Sequence, residues 1–195
     1  MLGKKIEINA DDFFATADLH IDHPNIINLN RRPYANVDDM AEGLIKNWNS
    51  IVPVTGSVFV AGDLLSSATK LHLLDRLNGK IYWCYGNHDY ALMRREKNRQ
   101  RFTRHGAILE VTVKDGDTEQ LIVISHWSMR TWNKRRYGAW HLFAHSHGSL
   151  GPLGKSFDIG VDCNNYGPLS YPSIKSIMAT RPIWETYENG HHNRK

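Results

Sequence analysis

The sequence FFATADLH, residues 13–20, joins a short run of aromatic and small apolar residues to an aspartate and a histidine. The apolar part, residues 13–17, has the composition and length of a buried strand. Asp18 and His20 follow at once, and in an extended backbone two residues at this spacing point to the same side. This stretch therefore predicts a strand that presents two polar side chains from its carboxyl end.

Four more strand-like runs along the chain end in the same way. The five predicted strands are residues 13–17, 57–61, 80–85, 120–125 and 141–144. The residues able to bind a metal that follow them are Asp18, His20, Asp63, Asn87, His126, His145 and His147. One such residue after a strand is usually turn chemistry, but turns do not require histidine at four of these positions. The joint pattern predicts a metal site at the strand ends.

The donor types narrow the choice of metal. The set combines carboxylate, amide and imidazole groups without a thiolate, which suits Mn²⁺, Fe, Zn²⁺ or Ni²⁺ better than Ca²⁺ or a structural zinc site. Seven ligands are too many for one ion that must keep an open position, whereas they fit two ions roughly 3.5–4 Å apart that share a carboxylate. We therefore expect two divalent metal ions as cofactors, with Mn²⁺ preferred and Fe, Zn²⁺ or Ni²⁺ as alternatives.

Helical patterns lie between the predicted strands. Asn36 is a predicted N-cap of a helix that runs to about Ser50. Further helices are predicted at residues 69–77, 90–104 and 173–180, and further strands at 111–114, 157–161 and 183–187. The Asp115-Gly116 pair predicts a hairpin between 111–114 and 120–125. The order of elements indicates an α/β (α+β) fold, a sandwich of mixed sheets covered by helices.

Length and composition are those of an ordinary globular protein, with 195 residues, 41% hydrophobic and 23% charged. We expect a single domain over residues 1–195 with a polar tail at about 189–195. The apolar runs are too short to cross a bilayer, the amino-terminal residues lack the apolar segment of a secretory signal, and two cysteines make no disulfide framework. These features favour a cytoplasmic protein without a membrane partner, and they leave the oligomeric state open.

Positive charge is concentrated in residues 94–104, which hold six basic residues and one acid. If this segment is helical, Arg94, Lys97, Arg101 and Arg104 share one face. Such a stripe favours an anionic substrate or a nucleic acid, and the alternative is a solvated helix face.

The ordered motif series resembles that of the calcineurin-like metallophosphoesterase superfamily. It reads, in chain order, Asp18-Leu-His20, Gly62-Asp63, Gly86-Asn87-His88-Asp89, His126 and Ala144-His145-Ser-His147. The one departure is Ala144, where the family usually has glycine. Residues 13–34 and 161–170 further resemble small single-domain members from bacteria and phages. The resemblance implies a two-sheet β-sandwich flanked by helices, with a dinuclear metal site at one edge.

The resemblance also implies a role for each motif residue. The residues implied for the first ion are Asp18, His20, Asp63 and His147. The residues implied for the second ion are Asp63, Asn87, His126 and His145, so that Asp63 bridges. The implied catalytic pair is His88, which would act on the leaving oxygen, and Asp89, which would hold its imidazole.

These roles predict hydrolysis of phosphate esters by a hydroxide that bridges the two ions. Arg31 and Arg32 are candidate phosphate ligands because of their forked donors, and Tyr34 and Trp127 are candidates to stack on a base. A monoester dianion calls for several fixed cations, so we expect diesters, such as nucleotides, cyclic nucleotides or a nucleic-acid end, to be preferred. The alternatives are a nuclease, a phosphomonoesterase or protein phosphatase on the same fold, and a basic nucleic-acid-binding protein with a vestigial metal site.

Overall fold

Within residues 5–183, the part of the chain that the computed structural model describes, ten strands form two five-stranded sheets. The strands are β1 (Ile6–Asn9), β2 (Phe13–Thr16), β3 (Ser57–Val60), β4 (Lys80–Cys84), β5 (Arg104–Gly106), β6 (Ile108–Asp115), β7 (Thr118–Ser125), β8 (Trp140–Phe143), β9 (Ser156–Asp158) and β10 (Leu169–Ser170). One sheet has the order β10-β2-β3-β4-β5 and the other the order β1-β6-β7-β8-β9. The polar tail expected at 189–195, and all but the first residue of the strand expected at 183–187, lie outside the described residues.

Alternation along the strands builds two apolar layers. In β2, Phe13 and Ala15 face the second sheet and pack with residues of β6, β7 and β8. Phe14, between them, faces the opposite side and packs with helical residues such as Met40 and Trp48. Because successive side chains of a strand point to opposite faces, a strand that is apolar throughout is buried on both sides. The fold prediction of two sheets flanked by helices is confirmed.

The five strands predicted to precede the polar residues are all present, within two residues of the expected bounds, as β2, β3, β4, β7 and β8. The predicted hairpin is also confirmed, since β6 pairs antiparallel with β7 and Asp115 lies opposite Thr118. The strand expected at 157–161 is present as the shorter β9, which begins one residue earlier and ends at Asp158. Residues Val161–Cys163 form a 3₁₀ turn instead.

The helices are α1 (Pro24–Leu29), α2 (Val37–Ile51), α3 (Tyr90–Met93), α4 (Glu96–Arg99) and α5 (Tyr171–Ala179), with a 3₁₀ segment at Ala68–Arg76 where a helix was expected. The predicted cap of α2 is confirmed, because the Asn36 side chain accepts a hydrogen bond from the Asp39 amide at 2.9 Å. Among the described residues, none of the helices combines the length and the apolar character needed to cross a bilayer.

The prediction of a single helix over residues 90–104 is wrong. Arg95 has an extended backbone between α3 and α4, and the chain then leaves helical geometry so that Arg104–Gly106 can pair with β4 at the sheet edge. Tertiary pairing overrides the helical propensity of the charged segment. The basic residues therefore do not share a helix face, and Arg101 pairs instead with Asp75.

Candidate metal centre

The carboxyl ends of five strands meet at one edge of the sandwich. β2, β3 and β4 are parallel neighbours in one sheet, and β7 and β8 are parallel neighbours in the other. The two sheets are joined at this edge because the Asp18 carboxylate accepts a hydrogen bond from the His145 amide at 2.9 Å. The segments that follow these strands therefore lie side by side, although they are far apart in sequence.

All seven predicted ligands come together here, in two groups. One ligand atom from each member of a group lies within 4.8 Å of those of the others. The first group is Asp18, His20 and His147, and the second is Asp63, His126 and His145. Asn87 joins the second group, since its Oδ1 is 2.9 Å from His126 Nε2. Both are clusters of His and Asp side chains that could hold a metal ion.

Asp63 lies between the two groups. Its Oδ2 is 3.5 Å from Nε2 of His20 and also 3.5 Å from Nε2 of His126. Its Oδ1 is occupied separately by a hydrogen bond from the His88 amide at 2.8 Å. One carboxylate oxygen thus faces a ligand of each group at the same distance, which is the position that a bridging ligand requires.

The first group leaves buried polar atoms without partners. Asp18 is 0% exposed and His20 is 2% exposed. Among residues 5–183, neither Asp18 Oδ1 nor either ring nitrogen of His20 has a hydrogen-bond partner. Burial raises the pKa of Asp18 to about 8 and, reinforced by neighbouring cations, lowers the pKa of His20 to about 2. Buried groups left unsatisfied cost about 1–3 kcal/mol each, and a divalent cation would satisfy carboxylate and imidazole together.

In the second group, three acceptor atoms point toward one another. His126 Nδ1 lies 2.8 Å from the Ala61 carbonyl, and since a carbonyl only accepts, Nδ1 carries the proton. In the neutral ring Nε2 then has only a lone pair, and it faces Asn87 Oδ1 and Asp63 Oδ2. Three lone pairs directed at one another repel unless a proton or a metal ion lies between them, and the combination of imidazole, amide and carboxylate donors also fits a metal ion.

Most of the predicted ligands have a backbone conformation that is unusual for residues other than glycine. Five of the seven are left-handed, with φ between 46° and 69°: Asp18, His20, Asp63, His145 and His147. Asp18 and His20 do lie in one group, but the extended backbone that we expected to bring them together is wrong, because both residues are left-handed. Left-handed conformations cost about 1–2 kcal/mol per non-glycine residue and cluster at functional sites.

Two motif glycines leave room for the ligands. Gly62 has φ +92°, and a Cβ there would lie 2.6 Å from His126 Nδ1. A Cβ at Gly86 would lie 2.1 Å from Asp63 Oδ1. Any side chain at either position would displace a ligand of the second group.

Asp89 has a different task from the one expected. Its buried carboxylate accepts hydrogen bonds from a set of four donors: the amides of Asp63, Leu64 and Gly86 and the indole of Trp83. The His88 imidazole is not among these donors, so the prediction that Asp89 holds the His88 ring is wrong. Burial raises the pKa of Asp89, and the hydrogen bonds from the Gly86 and Leu64 amides and from the Trp83 indole partly counter this effect. Asp89 fixes the two loops that carry Asp63 and Asn87.

His88 lies at the open side of the first group. Its side chain is exposed, and its ring stands edge-on to His20 with ring centroids 5.0 Å apart. The location is suited to contact with a bound substrate, while the catalytic role stays a prediction.

Arg32 is buried and does not face a substrate, so its prediction as a phosphate ligand is wrong. Its Nε and Nη2 form a paired contact with the Asp162 carboxylate at 2.8 Å each, and Nη1 and Nη2 also donate to the carbonyls of Leu19 and Asp18. Every guanidinium nitrogen is therefore used inside the protein. Arg31 is exposed, and its role in substrate binding stays a prediction.

Asp162 is a site residue that the sequence analysis missed. Its Oδ2 accepts a hydrogen bond from His147 Nδ1 at 2.7 Å, so Arg32, Asp162 and His147 form a chain that orients the imidazole. Burial opposes ionisation of Asp162, but His147 and Arg32 hold its pKa well below the usual range. Burial likewise works against a charged His147, yet Asp162 leaves the pKa of His147 raised. No spacing rule marks Asp162, because the contact joins segments far apart in sequence.

His23 and Trp127 border the site. One ligand atom of His23 lies within 4.8 Å of those of His20 and His88. Burial lowers the pKa of His23. The Trp127 ring is 54% exposed and its centroid is 4.1 Å from that of His145. His23 was not predicted, although a second histidine three positions after His20 was a visible signal.

Comparison with known proteins finds one likeness of fold and one relative in sequence. No family model matches it. The protein of unknown function AQ665 from Aquifex aeolicus is 17% identical, with a TM-score of 0.62 over 85% of this chain and 98% of that one, which is a likeness of fold. Phosphopantetheinyl hydrolase (PptH) from Mycobacterium tuberculosis is 16% identical, over 67% of this chain and 50% of that one, with a TM-score of 0.33, which is too low to indicate a shared fold.

A relative in sequence covers nearly the whole chain. Uncharacterized protein MJ1445 from Methanocaldococcus jannaschii is 30% identical over 184 residues, which make up 89% of this chain and 94% of the relative. The chain therefore belongs to the same family as uncharacterized protein MJ1445.

Proposed function

We propose that the chain is a two-metal phosphoesterase of the calcineurin-like type, which hydrolyses phosphate esters and prefers diesters. The observation that carries the proposal is the position of Asp63, whose Oδ2 faces His20 and His126 at 3.5 Å each. A carboxylate between two groups of imidazole and oxygen donors matches the shared ligand of two-metal hydrolases. Ions held there would supply Lewis acidity toward a water nucleophile and toward the phosphoryl oxygens.

The residues of the chain have separable tasks in this proposal. Asp18, His20, His147 and the shared Asp63 would hold the first ion. Asp162, itself paired with Arg32, keeps the imidazole of His147 in place. The second ion is held by a set of four residues: Asp63, Asn87, His126 and His145. Asp89 fixes both loops through the backbone.

His88 is the residue proposed to act on the substrate directly. Its backbone amide is tied to Asp63 Oδ1, so the ring is kept beside the first group while its outer side stays exposed. From there it donates a hydrogen bond or a proton to the leaving oxygen.

The diester preference rests on the shortage of fixed arginines. The guanidinium of Arg32 is used entirely within the protein, and burial of that side chain removes it from the substrate. A monoester dianion requires more compensating charge than a diester monoanion. A diester with a planar group also has a surface to pack on, since Trp127 is exposed beside His145.

The nucleic-acid-binding alternative loses its main support. It relied on a basic stripe along one helix, and the structure divides that segment into α3, α4 and β5. A nuclease and a phosphomonoesterase remain the alternative enzymes. They differ from our proposal only in the phosphate ester that is hydrolysed.

The proposal is tested by metal loading followed by a substrate panel. After chelation the protein is reloaded with Mn²⁺, Ni²⁺, Zn²⁺ or Mg²⁺, and bound metal is measured by elemental analysis. Turnover of bis-p-nitrophenyl phosphate, p-nitrophenyl phosphate and cyclic nucleotides is then compared. We expect two ions per chain and a higher kcat/KM for the diester than for the matched monoester. Protein that binds no metal, or that binds metal and hydrolyses none of these esters, would contradict the proposal.

A further inference from the structure

His23 is placed where it can work together with His88. It stands at the N-cap of α1, and its ring is edge-on to both neighbours, with centroids 5.5 Å from that of His20 and 5.2 Å from that of His88. One nitrogen from each of these three rings lies within 4.8 Å of the others. The three imidazoles therefore form a cluster beside the first metal group.

A third metal ion is a weaker explanation for this cluster. Nε2 of His20 already faces Asp63 Oδ2 at 3.5 Å, so that nitrogen is directed into the metal centre. The other nitrogen of His20 stays available, but the cluster then supplies three imidazoles and no carboxylate. A divalent cation is usually neutralised in part by carboxylate ligands, which His23 and His88 do not supply.

Two imidazoles at this separation can instead share one oxygen atom. Donors that each bind the same acceptor at about 2.9 Å lie at most about 5.8 Å apart. His23 and His88 satisfy this limit, because their ligand atoms are within 4.8 Å of each other. A neutral imidazole offers one N–H donor and a protonated one offers two, so either form can take part.

The proposed reaction requires hydrogen-bond donors to the phosphoryl oxygens, which this pair of histidines would supply. Phosphoryl transfer places charge on oxygens that must be contacted by donors, and Arg32, the expected arginine, is committed to Asp162 and two backbone carbonyls. We infer that His23 is a second substrate-contacting histidine, which together with His88 binds one phosphoryl oxygen of the substrate. This inference rests on the proposed phosphoesterase function and adds a phosphate-binding residue to it.

The test measures binding of inorganic phosphate to Mn²⁺-loaded protein by calorimetry, together with Mn²⁺ content by elemental analysis. His23→Ala should leave the Mn²⁺ content unchanged and raise the Kd for phosphate about tenfold or more, as expected for a lost hydrogen bond to a charged group. His23→Gln, whose amide keeps an N–H donor, should raise the Kd less. His72→Ala, at an exposed histidine of the 3₁₀ segment, is the matched control and should change neither quantity.

A double variant tests whether the two histidines share one oxygen. If they do, the effects of His23→Ala and His88→Ala on the phosphate Kd should not be additive. Additive effects would show that His23 binds elsewhere and would overturn the shared contact. A fall in Mn²⁺ content in His23→Ala would make His23 a metal ligand and overturn the inference in another way.

The outcomes separate this inference from the proposed function. Unsubstituted protein that takes up metal and hydrolyses diesters, while His23→Ala binds phosphate normally, would overturn the role of His23 alone. Unsubstituted protein that takes up no metal would overturn both.

Discussion

The two groups that could hold a metal ion lie on either side of Asp63 and differ in burial and in hydrogen bonding. In the first group, Asp18 and His20 are almost fully buried, and several of their polar atoms have no partner among the described residues. In the second group, His126 is buried, whereas Asn87 and His145 are exposed. The His126 ring already bonds to a backbone carbonyl and contacts Asn87.

If both groups hold ions as proposed, the difference predicts two kinds of metal site. The first would be preformed, because its buried polar atoms have no other partner within residues 5–183 and because Arg32 and Asp162 hold His147 in place. Its ion should bind tightly and stabilise the fold. The second is open to solvent on one side, so its ion should exchange more readily and lie closer to the incoming substrate.

Asp63→Asn tests whether the two groups depend on one another, and it should have the largest effect. An amide at this position removes the charge that both ions would share, so we expect the metal content of both groups to fall and hydrolysis to be lost. Elemental analysis after dialysis measures the change. Asp117→Asn, at an exposed turn residue, serves as the control. Loss of one ion only would show that Asp63 does not bridge.

His88→Ala tests whether the residue beside the first group acts on the substrate rather than on the metal. We expect full metal content and a loss of kcat of roughly 10²–10⁴-fold, the range for a general acid. The loss should be smaller for a nitrophenolate leaving group, which needs little protonation. Equal losses for good and poor leaving groups would leave charge stabilisation as the role of His88.

Asp162→Asn tests the preparation of the first group. The substitution weakens the hydrogen bond that orients His147 and leaves Arg32 without its ionic partner, so metal affinity in the first group should fall about 10–100-fold. The second group should keep its affinity. Competition with a fluorescent chelator measures both constants. Equal weakening of the two groups would contradict the distinction drawn between them.

His145→Ala tests the open side of the second group and should have the smallest effect on stability. Its ring is exposed, so the free energy of unfolding of metal-free protein should change by no more than about 0.5 kcal/mol. The second ion should be lost or weakened while the first is retained. Denaturant unfolding with and without chelator measures the change. Loss of the first ion would show that the groups are not separable.

The positions of the strands and of the polar residues after them could be predicted because both depend on local sequence. Apolar runs such as Ser57–Val60 are buried on both faces, and the residues that follow them are free to carry chemistry. The end of α2 and its cap at Asn36 were likewise local properties. The helix expected at 90–104 failed because the pairing of Arg104–Gly106 with β4 is a long-range property of the sheet.

The sequence by itself determined which residue types stand at the strand ends, and therefore the seven candidate ligands and the sandwich that carries them. Only the tertiary structure decided which groups the charged residues near the candidate ligands contact. Arg32 follows His20 and Asp89 follows Asn87 in the sequence, yet the Arg32 side chain binds Asp162 and the Asp89 carboxylate binds the amides of two loops. Asp162 joins the site only through contacts that folding creates. The physical reason is that a buried charge must find partners within the protein, and sequence spacing does not state which partners the folded chain brings near.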